Sequence, residues 1–165
     1  MIIYEDILKE FQKQKVQYLI VGGLALNLLG AARATYDLDI IALLTDGNLE
    51  KIVKILKKYG YKVKQPLDPM QIADKEIREG WIRDKNLKAF NFYKDKTGEE
   101  VDIVLDIPVS FEKSYKNSKL IKIGTFNIRV MGIDDMIKMK KYAGREIDKQ
   151  DIAVLKKIKN MEKKS

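Results

Sequence analysis

Two aspartates separated by one residue interrupt an apolar segment, and their spacing is the first sign of chemistry in this sequence. Asp37 and Asp39 lie within residues 35–44, which read TYDLDIIALL. On a β-strand, residues two apart point to the same side, so both carboxylates face one way while Leu38 and Ile40 face the other. Burying two like charges is costly unless a cation compensates them. The pair therefore predicts a divalent-cation site, and the competing interpretation is that it ends a strand or caps a turn.

A third aspartate interrupts a second apolar segment. Asp102 lies between Val101 and Ile103. Two-metal sites, with ions about 3.5–4 Å apart, stabilise the attacking and leaving oxygens of a phosphoryl displacement, and such a site usually needs a third carboxylate. Asp106, four residues further on the same predicted strand face, is an alternative ligand or an outer partner. The competing interpretation is that both acids form the exposed face of an edge strand.

The sequence contains neither histidine nor cysteine. This absence excludes Ser-His-Asp and Cys-His mechanisms, and it excludes imidazole or thiolate ligands for a metal. A catalytic metal must then be held by oxygen atoms. Oxygen ligands favour Mg²⁺, with Mn²⁺ as the alternative.

A glycine pair stands between a predicted strand and a predicted helix. Gly22 and Gly23 follow the apolar residues 16–21, where backbone N–H groups and the helix dipole can hold an anion. The dinucleotide-binding fingerprint fails because Leu24 and Ala25 occupy the position of its second glycine, and no Gly-Lys-Ser/Thr sequence occurs. The pair is therefore a phosphate-binding signal of another kind, and a weak one by itself.

The elements that must position these residues follow from the hydrophobic periodicity. We predict helices over residues 4–14, 24–29, 48–59, 70–78, 131–142 and 148–158, and strands over residues 16–21, 35–44, 61–64, 89–93, 100–107, 120–123 and 126–130. Strands 89–93 and 100–107 are predicted to form a hairpin, and 120–123 with 126–130 form a second hairpin or a pair of short edge strands. Residues 81–88 are predicted as a loop. This order indicates an α/β (α+β) fold, a small mixed β-sheet flanked by helices with two closing C-terminal helices. Residues 1–165 form one domain, in which 158–165 are expected to be a charged tail.

The length and net charge of the chain limit which partners and which cellular location we expect. The chain of 165 residues carries a net charge of +8, which suits a triphosphate or a nucleic acid as partner, although a heavily charged surface also suits a heat-adapted protein. No apolar run approaches the roughly 20 residues of a membrane-spanning helix. The acidic N-terminus does not resemble a secretory signal, so we expect a cytoplasmic protein without a membrane.

These motifs together resemble a known signature. Residues 18–43, YLIVGGLALNLLGAARATYDLDIIAL, closely resemble the polymerase-β-like nucleotidyltransferase superfamily, in which an apolar strand and a glycine pair precede acid, apolar, acid, apolar. The form Arg33-x-Thr35-x-Asp37-x-Asp39 is similar to small bacterial and archaeal members, including those related to toxin–antitoxin nucleotidyltransferases. Asp102 matches the third acid. The segment 134–155 is similar to the closing helices, with the recurring residues Lys140, Arg145, Asp148 and Asp151.

The resemblance implies a nucleotidyltransferase fold and a reaction. A nucleoside monophosphate would pass from a nucleoside triphosphate to an acceptor hydroxyl with Mg²⁺ or Mn²⁺, and pyrophosphate would leave. The acceptor is open: an RNA end, a protein side chain or a small molecule. The alternative is a catalytically inactive nucleotide-binding or antitoxin-like partner of the same fold. A basic RNA-binding module has less support, because no aromatic-rich sheet motif occurs.

The resemblance also assigns roles to residues. Gly22 and Gly23 would let the triphosphate approach the backbone, and Asp102 would help to activate the acceptor hydroxyl. Arg33 and Lys140 would neutralise phosphate charge. The metal ligands would be Asp37, Asp39 and Asp102. Asp106, Arg145, Asp148 and Asp151 are left undecided, since Arg145 and Asp148 are three residues apart and can form a simple ion pair.

Overall fold

The computed structural model describes residues 3–164 as helices around one seven-stranded sheet. The helices are α1 (Glu5–Lys13), α2 (Gly22–Leu28), α3 (Asp46–Lys58), α4 (Lys75–Asp84), α5 (Phe111–Lys116), α6 (Ile133–Ala143) and α7 (Glu146–Lys164), with a 3₁₀ turn at Pro69–Ala73. The strands are β1 (Tyr18–Val21), β2 (Leu38–Ala42), β3 (Lys62–Val63), β4 (Ala89–Tyr93), β5 (Glu100–Val104), β6 (Lys119–Ile123) and β7 (Phe126–Val130). The predicted α/β class is confirmed.

The sheet is mixed, and its strand order is β3-β4-β5-β2-β1-β7-β6. β2 pairs with β5 in parallel and β1 with β7 in parallel, while the remaining neighbours are antiparallel. Strand β1, next to the central strand β2, is buried along its whole length, whereas β4 and β5 alternate between buried and partly exposed residues. This alternation leaves a polar face on β4 and β5 opposite the core.

A buried asparagine fixes the strand pair on which the glycine turn and Asp39 lie. The Asn48 side chain accepts a hydrogen bond from the Gln17 N–H at 2.9 Å and donates to the carbonyls of Gln17 and Leu43, both also at 2.9 Å. It thereby joins the first turn of α3 to the start of β1 and the end of β2. Thr45 caps the same helix.

The segment between β3 and β4 differs from the prediction. Residues 81–84, predicted as a loop, are helical because Asp74 caps α4 by accepting from the Ile77 N–H at 3.1 Å. The buried guanidinium of Arg78 then ties α4 to the core by donating to the carbonyls of Ile72 at 2.8 Å and Leu44 at 3.0 Å. Hydrophobic periodicity does not reveal hydrogen bonds between one arginine and the backbone of other elements, so it did not predict this part of the helix.

Two further helices differ from the prediction. Helix α5, capped by Ser110, was not predicted. Helix α7 continues to Lys164 through the predicted tail, held by the ion pairs of Lys159 with Asp134 and of Lys119 with Glu162, both at 2.6 Å; Ser165 lies outside the described residues. Within residues 3–164, no helix combines the length and the apolar character needed to cross a membrane.

Replacing Asn48 by alanine tests this anchor. Asn48→Ala leaves the buried backbone groups at Gln17 and Leu43 without partners, and each lost partner costs about 1–3 kcal/mol. We expect the free energy of unfolding to fall by about 2–4 kcal/mol in urea denaturation followed by circular dichroism. Glu50→Ala, on the same helix but paired only with Lys54 at the surface, is the control and should cost less than about 0.5 kcal/mol. Equal losses in the two variants would contradict the anchoring role.

Candidate active site

Two of the three predicted acids lie side by side on neighbouring strands. The parallel register of β2 and β5 pairs Asp39 directly with Asp102, and both are partly exposed on the polar face of the sheet. Asp37 precedes β2, which begins at Leu38, and it lies in extended chain rather than inside the strand as predicted. The negative charge of Asp37 nevertheless raises the pKa of Asp39. The structure therefore brings the three acids of the sequence pattern into one electrostatic group.

Negative charge is concentrated in this group, and the neighbouring lysines compensate only part of it. Burial, followed by the charges of Asp102 and Asp37, raises the pKa of Asp39 to about 7, and Lys140 acts in the opposite direction. Burial also raises the pKa of Asp37, and Glu100 and Asp102 raise it further. Adjacent carboxylates of this kind fit a divalent cation held by oxygen. In residues 3–164, no three such side chains are already arranged to ligate one ion.

The glycine turn lies directly against Asp39. Gly22 has a φ of +70°, a left-handed conformation that favours glycine, and a Cβ at this position would overlap the Asp39 carboxylate. A Cβ on Gly23 would lie 2.8 Å from the Thr35 Oγ1. The two glycines thus allow the turn to pack directly against Asp39 and Thr35. The fold brings together the predicted phosphate-binding turn and the predicted metal ligands.

The closing helices bring positive charge to the same place. Lys140 of α6 is buried, and its Nζ lies 3.0 Å from an Asp151 carboxylate oxygen and 3.3 Å from one of Asp148. The Arg33 Nη1 lies 2.6 Å from both carboxylate oxygens of Asp151. Arg33 and Lys140, the two predicted phosphate ligands, therefore share Asp151 as their counter-ion.

Arg145 and Asp148 form the local pair that their spacing allows. The Arg145 side chain donates to Asp148 at 3.0 and 3.2 Å, and the Arg145 backbone N–H also donates to it at 3.0 Å. Asp148 thus holds the start of α7 and contacts Lys140 as well. Together these interactions lower the pKa of Asp148, although burial opposes the shift.

Asp106 lies elsewhere. β5 ends at Val104, so Asp106 does not continue the strand face of Asp102 as predicted. It accepts hydrogen bonds from Lys88 at 2.8 Å and from the Tyr142 hydroxyl at 2.7 Å, and these partners lower the pKa of its carboxyl. Asp106 is a partnered surface carboxylate, distinct from the group around Asp39.

Sequence reasoning missed two amides beside Asp102. The Asn91 Nδ2 donates to the Asp102 Oδ1 at 2.7 Å, and the Gln65 Nε2 donates to the Asn91 Oδ1, also at 2.7 Å. The Asn91 N–H donates to the Gln65 Oε1 at 3.1 Å. The hairpin register pairs Asn91 with Asp102, so the predicted β4–β5 hairpin already contained a signal for Asn91. Gln65 follows a strand of only two residues, so the sequence pattern did not indicate its contact with Asn91.

Comparison with known proteins identifies the family. The sequence profile of the aminoglycoside-2''-adenylyltransferase family matches residues 4–155. This protein belongs to that family. A search of curated protein sequences gives no significant match. The prediction of the polymerase-β-like nucleotidyltransferase superfamily is confirmed, and membership places the chain among nucleotidyl-transferring enzymes.

Solved structures of the family and its superfamily share the fold. The lincosamide antibiotic adenylyltransferase LnuA with bound lincomycin aligns over 92% of this chain and 93% of its own, with a TM-score of 0.60 and 19% identity. ANT(2'')-Ia in complex with adenylyl-2''-tobramycin aligns over 95% and 91%, with a TM-score of 0.59 and 14% identity. TM1012 of Thermotoga maritima, assigned as a nucleotidyltransferase, aligns over 98% and 89%, with a TM-score of 0.55 and 16% identity. The nucleotidyltransferase fold is thereby confirmed.

The first prediction for this adenylyltransferase-family site concerns its glycine turn. In Gly22→Ala the new methyl group must displace Asp39, and the left-handed backbone is strained. We expect a lower melting temperature in differential scanning fluorimetry, because folding must then accommodate both the displaced carboxylate and the strained backbone. Gly47→Ala is the matched control, because a Cβ there meets nothing within 4 Å. A melting temperature in Gly22→Ala equal to that of Gly47→Ala would contradict the close approach of turn and acid.

The second prediction concerns the charge on Asp39. Its pKa is raised in the folded protein from 3.8 to about 7, so the folded state binds the proton more tightly and stability falls as pH rises through this window. Asp39→Asn removes that charge. We expect this substitution to raise the free energy of unfolding at about pH 8 by about 1–3 kcal/mol. The free energy of unfolding should also vary less with pH between about pH 5 and 8 than in the native protein.

Chemical denaturation at a series of pH values measures both effects. Asp106→Asn is the control, since the pKa of Asp106 is lowered rather than raised and its variant should not gain stability at high pH. If Asp39→Asn were less stable than the native protein at about pH 8, Asp39 would not carry unrelieved charge.

Proposed function

We propose that this protein transfers a nucleoside monophosphate from a nucleoside triphosphate to a hydroxyl group of an antibiotic, and that pyrophosphate is released. The observation that carries the proposal is the pairing of Asp39 with Asp102 directly beside the Gly22 turn. The family description supports adenylyl transfer, hence ATP as donor. The relatives bound to lincomycin and to adenylyl-2''-tobramycin support a small-molecule antibiotic as acceptor rather than RNA or protein.

The triphosphate would lie at the glycine turn. Gly22 and Gly23 present backbone without a Cβ at the end of β1, and Arg33 and Lys140 provide positive charge nearby. Both side chains are held by Asp151, so a bound triphosphate would share them with this carboxylate. A charge-assisted bond from arginine to phosphate is among the stronger hydrogen bonds in proteins. The net charge of +8 favours the approach of such an anion.

The acids would hold Mg²⁺, with Mn²⁺ as an alternative. Asp39 and Asp102 form the paired core of the set, and Asp37 adds a carboxylate from the preceding loop. When bound, the ion would neutralise negative charge that develops on the transferred phosphoryl group. The raised pKa of Asp39 supports this role, because a cation would relieve the repulsion among these carboxylates.

Asp102 would act on the acceptor. Its Oδ1 accepts a hydrogen bond from the Asn91 amide, which fixes the orientation of the carboxylate that would accept a proton from the acceptor hydroxyl. The hydroxyl oxygen then forms a bond to the α-phosphorus, and the bond from that phosphorus to the oxygen bridging the β-phosphate breaks. The proton goes to Asp102, and the electron pair leaves with pyrophosphate. Such general-base assistance contributes typically about 10²–10⁴-fold.

Transfer of label from ATP tests this function. With ATP labelled at the α-phosphate and Mg²⁺, we expect label in lincomycin or tobramycin, and no transfer with ATP labelled at the γ-phosphate. Asp39→Asn and Asp102→Asn should each lower the rate by at least about 100-fold. EDTA should stop the reaction, and added Mg²⁺ should restore it.

The control variant is Asp106→Asn, which changes a carboxylate outside the acid group and should keep most of the activity. If no antibiotic of either class accepted label and ATP still stabilised the protein, the inactive nucleotide-binding alternative would replace this proposal. If Asp39→Asn transferred label at the native rate, the assignment of the acids would be wrong.

A further inference from the structure

Asp37 is the one member of the acid group whose position the sheet does not fix. The parallel pairing of β2 with β5 holds Asp39 opposite Asp102. Asp37 comes before β2, at the end of residues 31–37, which form no helix or strand. Such a segment can adopt many backbone conformations, and restricting them costs entropy. A contact from outside the sheet is therefore needed to hold the Asp37 carboxylate beside the other two.

The hydroxyl group of Tyr4 provides this contact. Tyr4 directly precedes α1 and is 4% exposed. Its hydroxyl contacts the carbonyl oxygen of Tyr36, the residue before Asp37, and lies 2.9 Å from the carbonyl oxygen of Glu100. It also accepts a hydrogen bond from the Glu100 N–H at 3.2 Å. One hydroxyl group thus joins the loop before β2 to the first residue of β5.

This junction lies at the end of the strand pair that carries the acids. The register of β2 and β5 begins with Leu38 opposite Val101, directly before the acid pair. Outside that first pair, the N–H and the carbonyl of Glu100 both meet the Tyr4 hydroxyl. The tyrosine therefore continues the connection between the two acid-bearing segments beyond the point where strand pairing ends.

The electrostatic surroundings of Tyr4 agree with this placement. Burial raises the pKa of Tyr4 to about 12, the hydrogen bond to the Glu100 backbone opposes the shift, and the negative charge of Asp37 adds to it. The hydroxyl therefore keeps its proton at neutral pH and can donate it to a carbonyl oxygen. The effect of Asp37 also places its carboxylate within electrostatic range of this hydroxyl.

A second buried tyrosine lies close by but has a different partner. Tyr61 is also 4% exposed, and it lines the same small cavity as Tyr4. Its hydroxyl donates to the Glu99 side chain rather than to the backbone of the two acid-bearing segments. Tyr61 therefore makes a buried hydrogen bond of similar kind that does not hold Asp37.

We propose that Tyr4 is a positioning residue for the metal ligands, and that its hydroxyl holds Asp37 at a fixed separation from Asp102 so that both carboxylates can bind the cation. This role rests on the proposed function, in which these acids hold Mg²⁺. Partners that orient metal ligands typically change metal affinity or activity by about 10–100-fold. Tyr4 acts through the loop and the strand.

Tyr4→Phe removes the hydroxyl and keeps the buried ring. In calorimetric titration of the full-length protein with Mn²⁺, without nucleotide, we expect the Kd of Tyr4→Phe to be raised at least about tenfold. Its label transfer should need correspondingly more Mg²⁺, and excess Mg²⁺ should restore the rate. Tyr61→Phe is the matched control and should keep the native Kd. A hydroxyl that served only stability would leave the Mn²⁺ affinity the same in both variants, which would overturn the positioning role.

Hydrogen exchange measured by NMR tests the junction without any metal. In Tyr4→Phe the Glu100 N–H loses its acceptor, so we expect this amide to exchange at least about tenfold faster, and at the native rate in Tyr61→Phe. The Ile20 amide of the buried strand β1 should stay protected in both variants, which shows that both are folded. Loss of that protection in Tyr4→Phe would make the hydroxyl a requirement for folding and overturn the positioning role.

Failure of the positioning role differs from failure of the proposed function. Native exchange at Glu100 in Tyr4→Phe would overturn the junction. Faster exchange with an unchanged Mn²⁺ Kd would overturn the positioning of the ligands and leave the nucleotidyltransferase function standing. If the native protein neither bound Mn²⁺ nor transferred label, the proposed function would be overturned, and the exchange at Glu100 would still decide whether Tyr4 joins the loop to the strand.

Discussion

The repulsion between two neighbouring carboxylates is the constraint around which this structure is organised. Asp39 and Asp102 face each other across a parallel strand pair, and burial together with this repulsion raises the pKa of Asp39 to about 7. The sheet can hold this arrangement because the acids lie on rigid backbone, with β2 fixed through Asn48 and β5 paired on both sides. Stability is given up locally so that charge is concentrated where a cation and a phosphate would bind.

Compensation for this charge comes from the far end of the chain. Lys140 on α6 lowers the pKa of Asp39, and Asp151 on α7 holds both Lys140 and Arg33. Arg33 belongs to the loop between the glycine turn and the acids. The closing helices are therefore an electrostatic part of the site. Removing them would deprive Asp39 of the positive charge of Lys140, and it would leave Arg33 without its partner Asp151.

An element of the fold or site could be predicted from the sequence when the interactions that form it connect residues close together in the chain. The strand with Asp39, the glycine turn and the β4–β5 hairpin were predictable, because alternation, glycine position and turn composition are local. The pairing of Asp39 with Asp102, the sharing of Asp151 and the helical state of residues 81–84 were not, since they depend on strand order and on one buried arginine. That the acids bind metal and that Arg33 and Lys140 bind phosphate stay predictions.

The surroundings of the two paired acids differ, and this difference gives the site a direction. On one side, Asp39 lies against Gly22, and its carboxylate fills the position that a Cβ of residue 22 would take. On the other side, Asp102 is held by Asn91, which is itself held by Gln65. A carboxylate beside a glycine turn would suit a cation shared with a phosphate, whereas a carboxylate with one oxygen fixed by an amide is held in a defined orientation. Under the proposed function, this asymmetry across one strand pair would separate a donor side from an acceptor side, although both acids are the same residue type.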